Sequence, residues 1–153
     1  MDADCLIKLT KAGIKESVCR NNAVNIPSIV VREVVDVGKT KGCADAFAVE
    51  ENISLFLISI IHDERVNYKT GDQAVVDLFT FEKFDAVATD DAKLIRKLKT
   101  LGIPVLLPGL ILYLSYKQGV INKEKSFRAL DQLEPFISDD EYSTVRLLME
   151  TIR

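Results

Sequence analysis

Apolar positions along this chain follow two rhythms. Short, nearly continuous apolar runs at 23–26, 53–61, 86–88 and 105–107 have the length of buried strands. Between them apolar residues recur at three- and four-residue spacing, as in helices with one buried face. Leu6, Ile7 and Leu9 predict a helix from Asp4 to about Gly13, and 14–20 a second short one. The segment 29–37 is rich in β-branched residues, which by propensity favours a strand. Its apolar residues instead come as pairs, Val30-Val31 and Val34-Val35, four apart, which predicts a helix with Ser28 as N-cap. Gly38 and Gly42 then bracket a loop. Residues 44–51 read as a short helix, 53–61 as a central strand and 62–69 as a polar loop. Val75, Val76, Leu78 and Phe79 form one face of a helix over 73–83, and a further helix follows at 92–99.

Beyond Pro108-Gly109 three helices close the chain: 110–118, then 123–133 capped by Asn122, then one opened by a Ser138/Glu141 capping box with Val145, Leu148 and Ile152 inward. Strands alternating with helices predict a three-layer α/β/α sandwich around a mainly parallel sheet of about four to five strands. One domain spanning 1–153 is expected, with the C-terminal helices, about 110–153, as part of it.

Composition narrows the class. The 153 residues are 48% hydrophobic and 28% charged, which fits a soluble globular chain and not a disordered one. A net charge of −3 excludes a strongly basic nucleic-acid binder by global charge, and leaves room for a local basic patch. Cys5, Cys19 and Cys43 are odd in number and lack CxxC spacing, so they suggest neither a disulfide framework nor a zinc site. They fit a reducing cytoplasm. No apolar stretch has membrane-spanning length, and the N-terminus lacks the basic-then-apolar layout of a signal peptide.

The candidate chemistry lies in acids at element boundaries. The run Ala86-Val87-Ala88 stops at Thr89-Asp90-Asp91, so a buried strand ends in a hydroxyl and two carboxylates. Ligands of open parallel sheets bind at such strand ends. Asp2, Glu33 and Asp72 likewise sit beside apolar segments near element starts. Two carboxylates about 4 Å apart repel by roughly 4 kcal/mol at an effective dielectric near 20, so a cluster of them calls for a cation. Oxygen-only ligands select hard ions such as Mg²⁺ or Mn²⁺, which support hydrolysis. Each acid also has a plainer reading. Asp72 and Asp91 suit helix caps, and Glu33 suits a pair with Arg32 or a lysine.

The order of these acids resembles the PIN-domain family, which includes VapC-type toxin ribonucleases. Asp2-Ala3-Asp4-Cys5-Leu6-Ile7 is similar to its opening Asp-x-(Ser/Asn/Asp)-x-Leu-Ile motif, and Pro27 followed by apolar residues and Glu33 to its second. Gly71-Asp72-Gln73-Ala74 is similar to a Gly-Glu-x-Glu segment, and Thr89-Asp90-Asp91 to its Thr-x-Asp motif. The tail, from Gly102-Ile103-Pro104 through Gly119-Val120-Ile121, resembles a poorly characterised archaeal and bacterial subgroup. Three departures stand out: only Met1 precedes Asp2 where the family has a strand, Asp4 and Asp90 are extra acids, and Asp72 replaces a Glu.

The resemblance implies a Mg²⁺- or Mn²⁺-dependent endoribonuclease. Asp2, Glu33, Asp72 and Asp91 would be metal ligands and catalytic, Asp90 and Asp4 alternate ligands, and Thr89 a catalytic hydroxyl. It implies single-stranded or structured RNA as substrate, a homodimer, and an antitoxin partner if the chain is a toxin. RNA would need a positive rim, for which Lys8, Lys11, Lys15, Lys93, Arg96, Lys97 and Lys99 are candidates, with Lys8, Lys93, Arg96 and Lys97 foremost. Solvated helix faces are the plainer reading of those side chains. Two alternatives remain: an inactive PIN-fold binding module, and a haloacid-dehalogenase-like phosphatase suggested by Asp2-x-Asp4. His62, the only histidine, reads as a loop residue, Cys5 as packed on the first helix, and Phe47, Phe79, Phe81 and Phe84 as core.

Overall fold

The computed structural model describes residues 1–62 and 70–152, without the side chain of Asp45. Apart from His62, the polar loop expected at 62–69 lies outside the described residues. Helices α1 (Ala3–Lys11) and α2 (Lys15–Asn21) precede strand β1 (Val24–Pro27). The valine pairs behave as their spacing requires. A continuous helical run follows, made of α3 (Ser28–Val31), a π-helical stretch (Arg32–Asp36) and α4 (Val37–Thr40), and it buries Val30, Val34 and Val35. Two details differ from the sequence expectation. Pro27 is the cap and Ser28 is already helical. Gly38 lies inside α4, where a Cβ would meet Ala46 Cβ at 2.8 Å, so glycine there permits close packing against the next helix.

That helix, α5, is Ala44–Ser54, and β2 is only Ile58–Ile61. The apolar run 53–61 is therefore split: Ile53 ends a helix, and Phe56 turns the chain with φ of 56°. A continuous apolar run carries no mark of where a helix stops and a strand begins. There follow α6 (Gly71–Phe81), β3 (Val87–Ala88), α7 (Ala92–Thr100), β4 (Val105–Leu106), α8 (Pro108–Lys117), α9 (Lys123–Leu133) and α10 (Asp139–Glu150).

Pairing is parallel throughout the described residues, β1 with β2 (Val24 opposite Ile58) and β3 with β4 (Val87 opposite Val105). The sheet is smaller than the four to five continuous strands expected: two two-stranded pairs, with β2 bonded to β1 alone and not central. Met1-Asp2 joins them. The Met1 ammonium donates to the Asn25 carbonyl of β1 at 2.9 Å, and the Asp2 N–H donates to the Ala88 carbonyl of β3 at 3.0 Å. Beside Met1, between the pairs, a cavity of about 360 Å³ is lined by Val24, Phe79, Phe84, Val87 and Leu106 among others.

Two apolar clusters meet at Met1. One gathers Leu6, Ile26, Val30, Val49, Leu94 and Leu98, and the other Leu9, Ile14, Leu112, Leu130, Leu133 and Met149. The second shows what the last helices do. Ile111, Leu112, Val145 and Met149 are buried with Cys5 and Leu9 of α1, so these faces are core and not a free interface. Met149 takes the inward place, and Leu148 and Ile152 are half-buried. Phe47 and Phe81 are exposed, contrary to a core reading, while Phe79 and Phe84 are half-buried with ring centroids 6.3 Å apart.

Candidate active site

The site forms where Met1-Asp2 crosses the end of β3. Asp2 is buried and is the N-cap of α1, its Oδ1 accepting from the Cys5 N–H at 2.8 Å. Thr89, also buried, hydrogen-bonds the Asp2 carboxylate and accepts the Asp91 N–H at 3.1 Å. One hydroxyl thus ties the first acid to the loop bearing the last two. Asp91 turns to cap α7, accepting from the Leu94 N–H at 2.6 Å. Its neighbour Asp90 faces Lys8 of α1 and forms an ion pair with it.

Burial dominates the electrostatics. Desolvation raises the Asp2 carboxyl to about 6, against the Thr89 and Cys5 hydrogen bonds that lower it, and the nearby Asp90 charge adds to the rise. A further acid, unforeseen as a site residue, enters from the C-terminal helix. Glu141 accepts the Gly109 N–H at 2.7 Å. Burial raises its carboxyl too, the Gly109 hydrogen bond lowers it, and it feels both Asp90 and Lys8. The capping box is therefore only half made: the Ser138 hydroxyl accepts the Glu141 N–H at 3.1 Å, but the Glu141 carboxylate reaches across to α8. Only the place of Glu141 behind Gly109 reveals this, and short-range spacing holds no signal for it.

The other candidate acids sit apart from this group. Glu33, exposed within the π-helical stretch, accepts the Gly71 N–H at 3.2 Å. A Cβ on Gly71 would meet Glu33 Oε2 at 2.7 Å, so glycine makes the approach possible. Asp72, next in sequence, is exposed in the first turn of α6, and Asp4 is exposed in the first turn of α1. The structure thus brings together Asp2, Thr89, Asp90, Lys8 and Glu141, with Asp91 held alongside by its cap. It places Glu33 and Asp72 at the start of α6.

The basic side chains divide. Lys93, Arg96, Lys97 and Lys99 are exposed on α7. Lys11 lies 4.9 Å from the Phe136 ring centre. Lys15 is buried and donates to the Ala48 carbonyl, so it is no part of a rim. His62 is exposed and Cys5 is buried.

A parallel α/β fold that gathers carboxylates and a threonine at strand ends has the build of a nuclease-type domain. The chain belongs to the PIN-domain family: the family model DUF3368, a PIN domain, matches residues 1–151. No curated protein and no solved structure matches the chain. PIN domains are nucleases as a class and typically use divalent metals, and membership sets aside the phosphatase resemblance of Asp2-x-Asp4.

The donor chemistry suits such a metal, since every candidate ligand is a hard oxygen. The arrangement does not suit it as it stands. Among the described residues no three His, Cys, Asp or Glu side chains converge as metal ligands. Each acid is spoken for instead: Asp2 by Cys5 and Thr89, Asp90 by Lys8, Asp91 by Leu94 and Glu33 by Gly71.

Proposed function

We propose that the protein is an endoribonuclease that cleaves phosphodiester bonds of single-stranded RNA and needs Mg²⁺ or Mn²⁺. The observation that carries this reading is the meeting of Asp2, Thr89 and Asp90 at the end of β3, with Asp2 buried and short of counter-charge. A divalent ion supplies Lewis-acid chemistry and hydroxide when bound. The protein's own part is to hold the acids. Thr89 fixes Asp2 to the Asp91 loop, and Asp91 is set by its cap. Glu33 and Asp72, poised at the start of α6, complete the proposed ligand set. Lys93, Arg96 and Lys97 would hold the RNA backbone, so binding should weaken as salt rises. A homodimer, and an antitoxin partner if the chain is a toxin, belong to the same proposal, as does a cytoplasmic location.

The capping geometry gives a clean variant. Asn caps a helix about as well as Asp, so Asp91→Asn should keep α7 while removing a charge. The expected outcome is loss of RNA cleavage by at least about a hundredfold with an unchanged thermal midpoint, as the removal of a charged group acting in the transition state does. Full activity in this variant would overturn the assignment. A second reading, an inactive PIN-fold binding module, is favoured by the absence of convergent ligands among the described residues. It predicts that millimolar Mn²⁺ leaves the thermal midpoint unmoved, because an ion that binds the native state stabilises it.

A further inference from the structure

We infer that Lys8 is the resident counter-cation of the acid group, holding Asp90 where a divalent ion would otherwise claim it. The inference rests on the nuclease reading and deepens it. Lys8 and Asp90 lie 82 residues apart in sequence and meet across the β3–α7 junction. Their side chains are only 19% and 12% exposed, so this is not a solvated surface bridge. Asp90 acts electrostatically on both Asp2 and Glu141, so three acids from three parts of the chain surround one ammonium. The ammonium offsets their repulsion in the metal-free protein. An ammonium and a divalent ion repel each other and compete for the same carboxylate. By linkage each therefore weakens the hold of the other.

Lys8 is thus a positioning residue: it keeps the acids close together without metal and must give up Asp90 for an ion to enter. This accounts for the mismatch between a donor set suited to a hard cation and an arrangement without a ready cage. It also gives the lysine a second use, since a displaced ammonium at the rim is free to meet phosphate.

The test is thermal unfolding of the full chain, as wild type, Lys8→Met and Lys11→Met, in EDTA and across a Mn²⁺ titration. Lys8→Met should melt below wild type in EDTA. It should reach half of its Mn²⁺-induced shift at about tenfold lower Mn²⁺, closing the gap as the ion binds. Lys11→Met, one helical turn further along α1, should change the Mn²⁺ midpoint by less than about twofold, because exposed charges at that range are screened. A purely structural ion pair would lower stability equally with and without Mn²⁺. Equal Mn²⁺ midpoints for wild type and Lys8→Met would overturn the role of Lys8 and leave the nuclease reading standing. No Mn²⁺ shift in either protein would overturn both, since removing the ammonium would then have admitted no ion. Should Lys8→Met fail to fold, Lys8→Gln, which keeps a donor for Asp90, serves with the same expected outcomes.

Discussion

At the scale of single residues, Asp2 carries the most consequence. Its folded carboxyl titrates at about 6 against 3.8 for the ordinary group, mainly through desolvation. The native state therefore keeps a proton that the unfolded chain has lost between about pH 4 and 6. Stability from this group is full below the unfolded value and is lost as pH rises through 6, at an expected cost of about 3 kcal/mol by pH 7. Asp2→Asn keeps an oxygen to accept the Cys5 N–H and removes the charge. Urea unfolding should show the variant more stable than wild type by about 1–3 kcal/mol at pH 7.5, with the difference shrinking towards pH 4. The buried Met1 ammonium, pushed below its ordinary value by burial, titrates in the opposite sense, so the comparison is between variant and wild type at each pH. A difference independent of pH would show that Asp2 is not held against its ionisation. Such a residue costs stability where it stands, as functional acids do.

At the scale of elements, two helices receive their N-terminal capping from outside. Glu33 accepts from Gly71 at the start of α6, and Glu141 from Gly109 at the start of α8, an arrangement favoured by the unpaired N–H groups and the helix dipole. Glu141→Ala leaves the Gly109 N–H without its charged acceptor and should cost about 1–3 kcal/mol in chemical unfolding. Ser138→Ala, which removes only the local cap of α10, should cost about 1 kcal/mol. The reverse order would show that the reach of Glu141 to α8 contributes little. The contrast between these residues also shows what the sequence discloses. Ser138 and Asn122 cap their own helices, and four-residue spacing placed the valines of α3 correctly, because caps and helical faces are encoded within a turn or two. The partners of Glu33, Glu141 and Lys8 come from distant parts of the chain, where no local spacing reports them. Even at Asp91 the local signal was ambiguous: the cap is real, and capping does not decide whether the same carboxylate also has a chemical role.

At the scale of the whole molecule, the parallel α/β class and its alternating elements follow from apolar rhythm, and the size of the sheet does not. Apolar runs overstate strands because the same residues continue into helices, as Ile53 does, and because pairing depends on register across the chain. What holds the two strand pairs together is Met1-Asp2, and this is also what carries the first acid into the site. Fold and chemistry therefore share a hinge point: the backbone of Asp2 bonds to β3, and its side chain meets the hydroxyl that follows β3. The overall charge of −3 makes RNA contact a local affair, so the exposed cations of α7 must work against the net field. The most direct measurement is cleavage of a labelled single-stranded RNA by the purified chain, with Mn²⁺ or Mg²⁺ and then with excess EDTA. The account predicts cleavage that appears with the ion, stops with EDTA and is lost in Asp91→Asn. Cleavage that persists in EDTA, or none in the wild type at millimolar Mn²⁺, would contradict it.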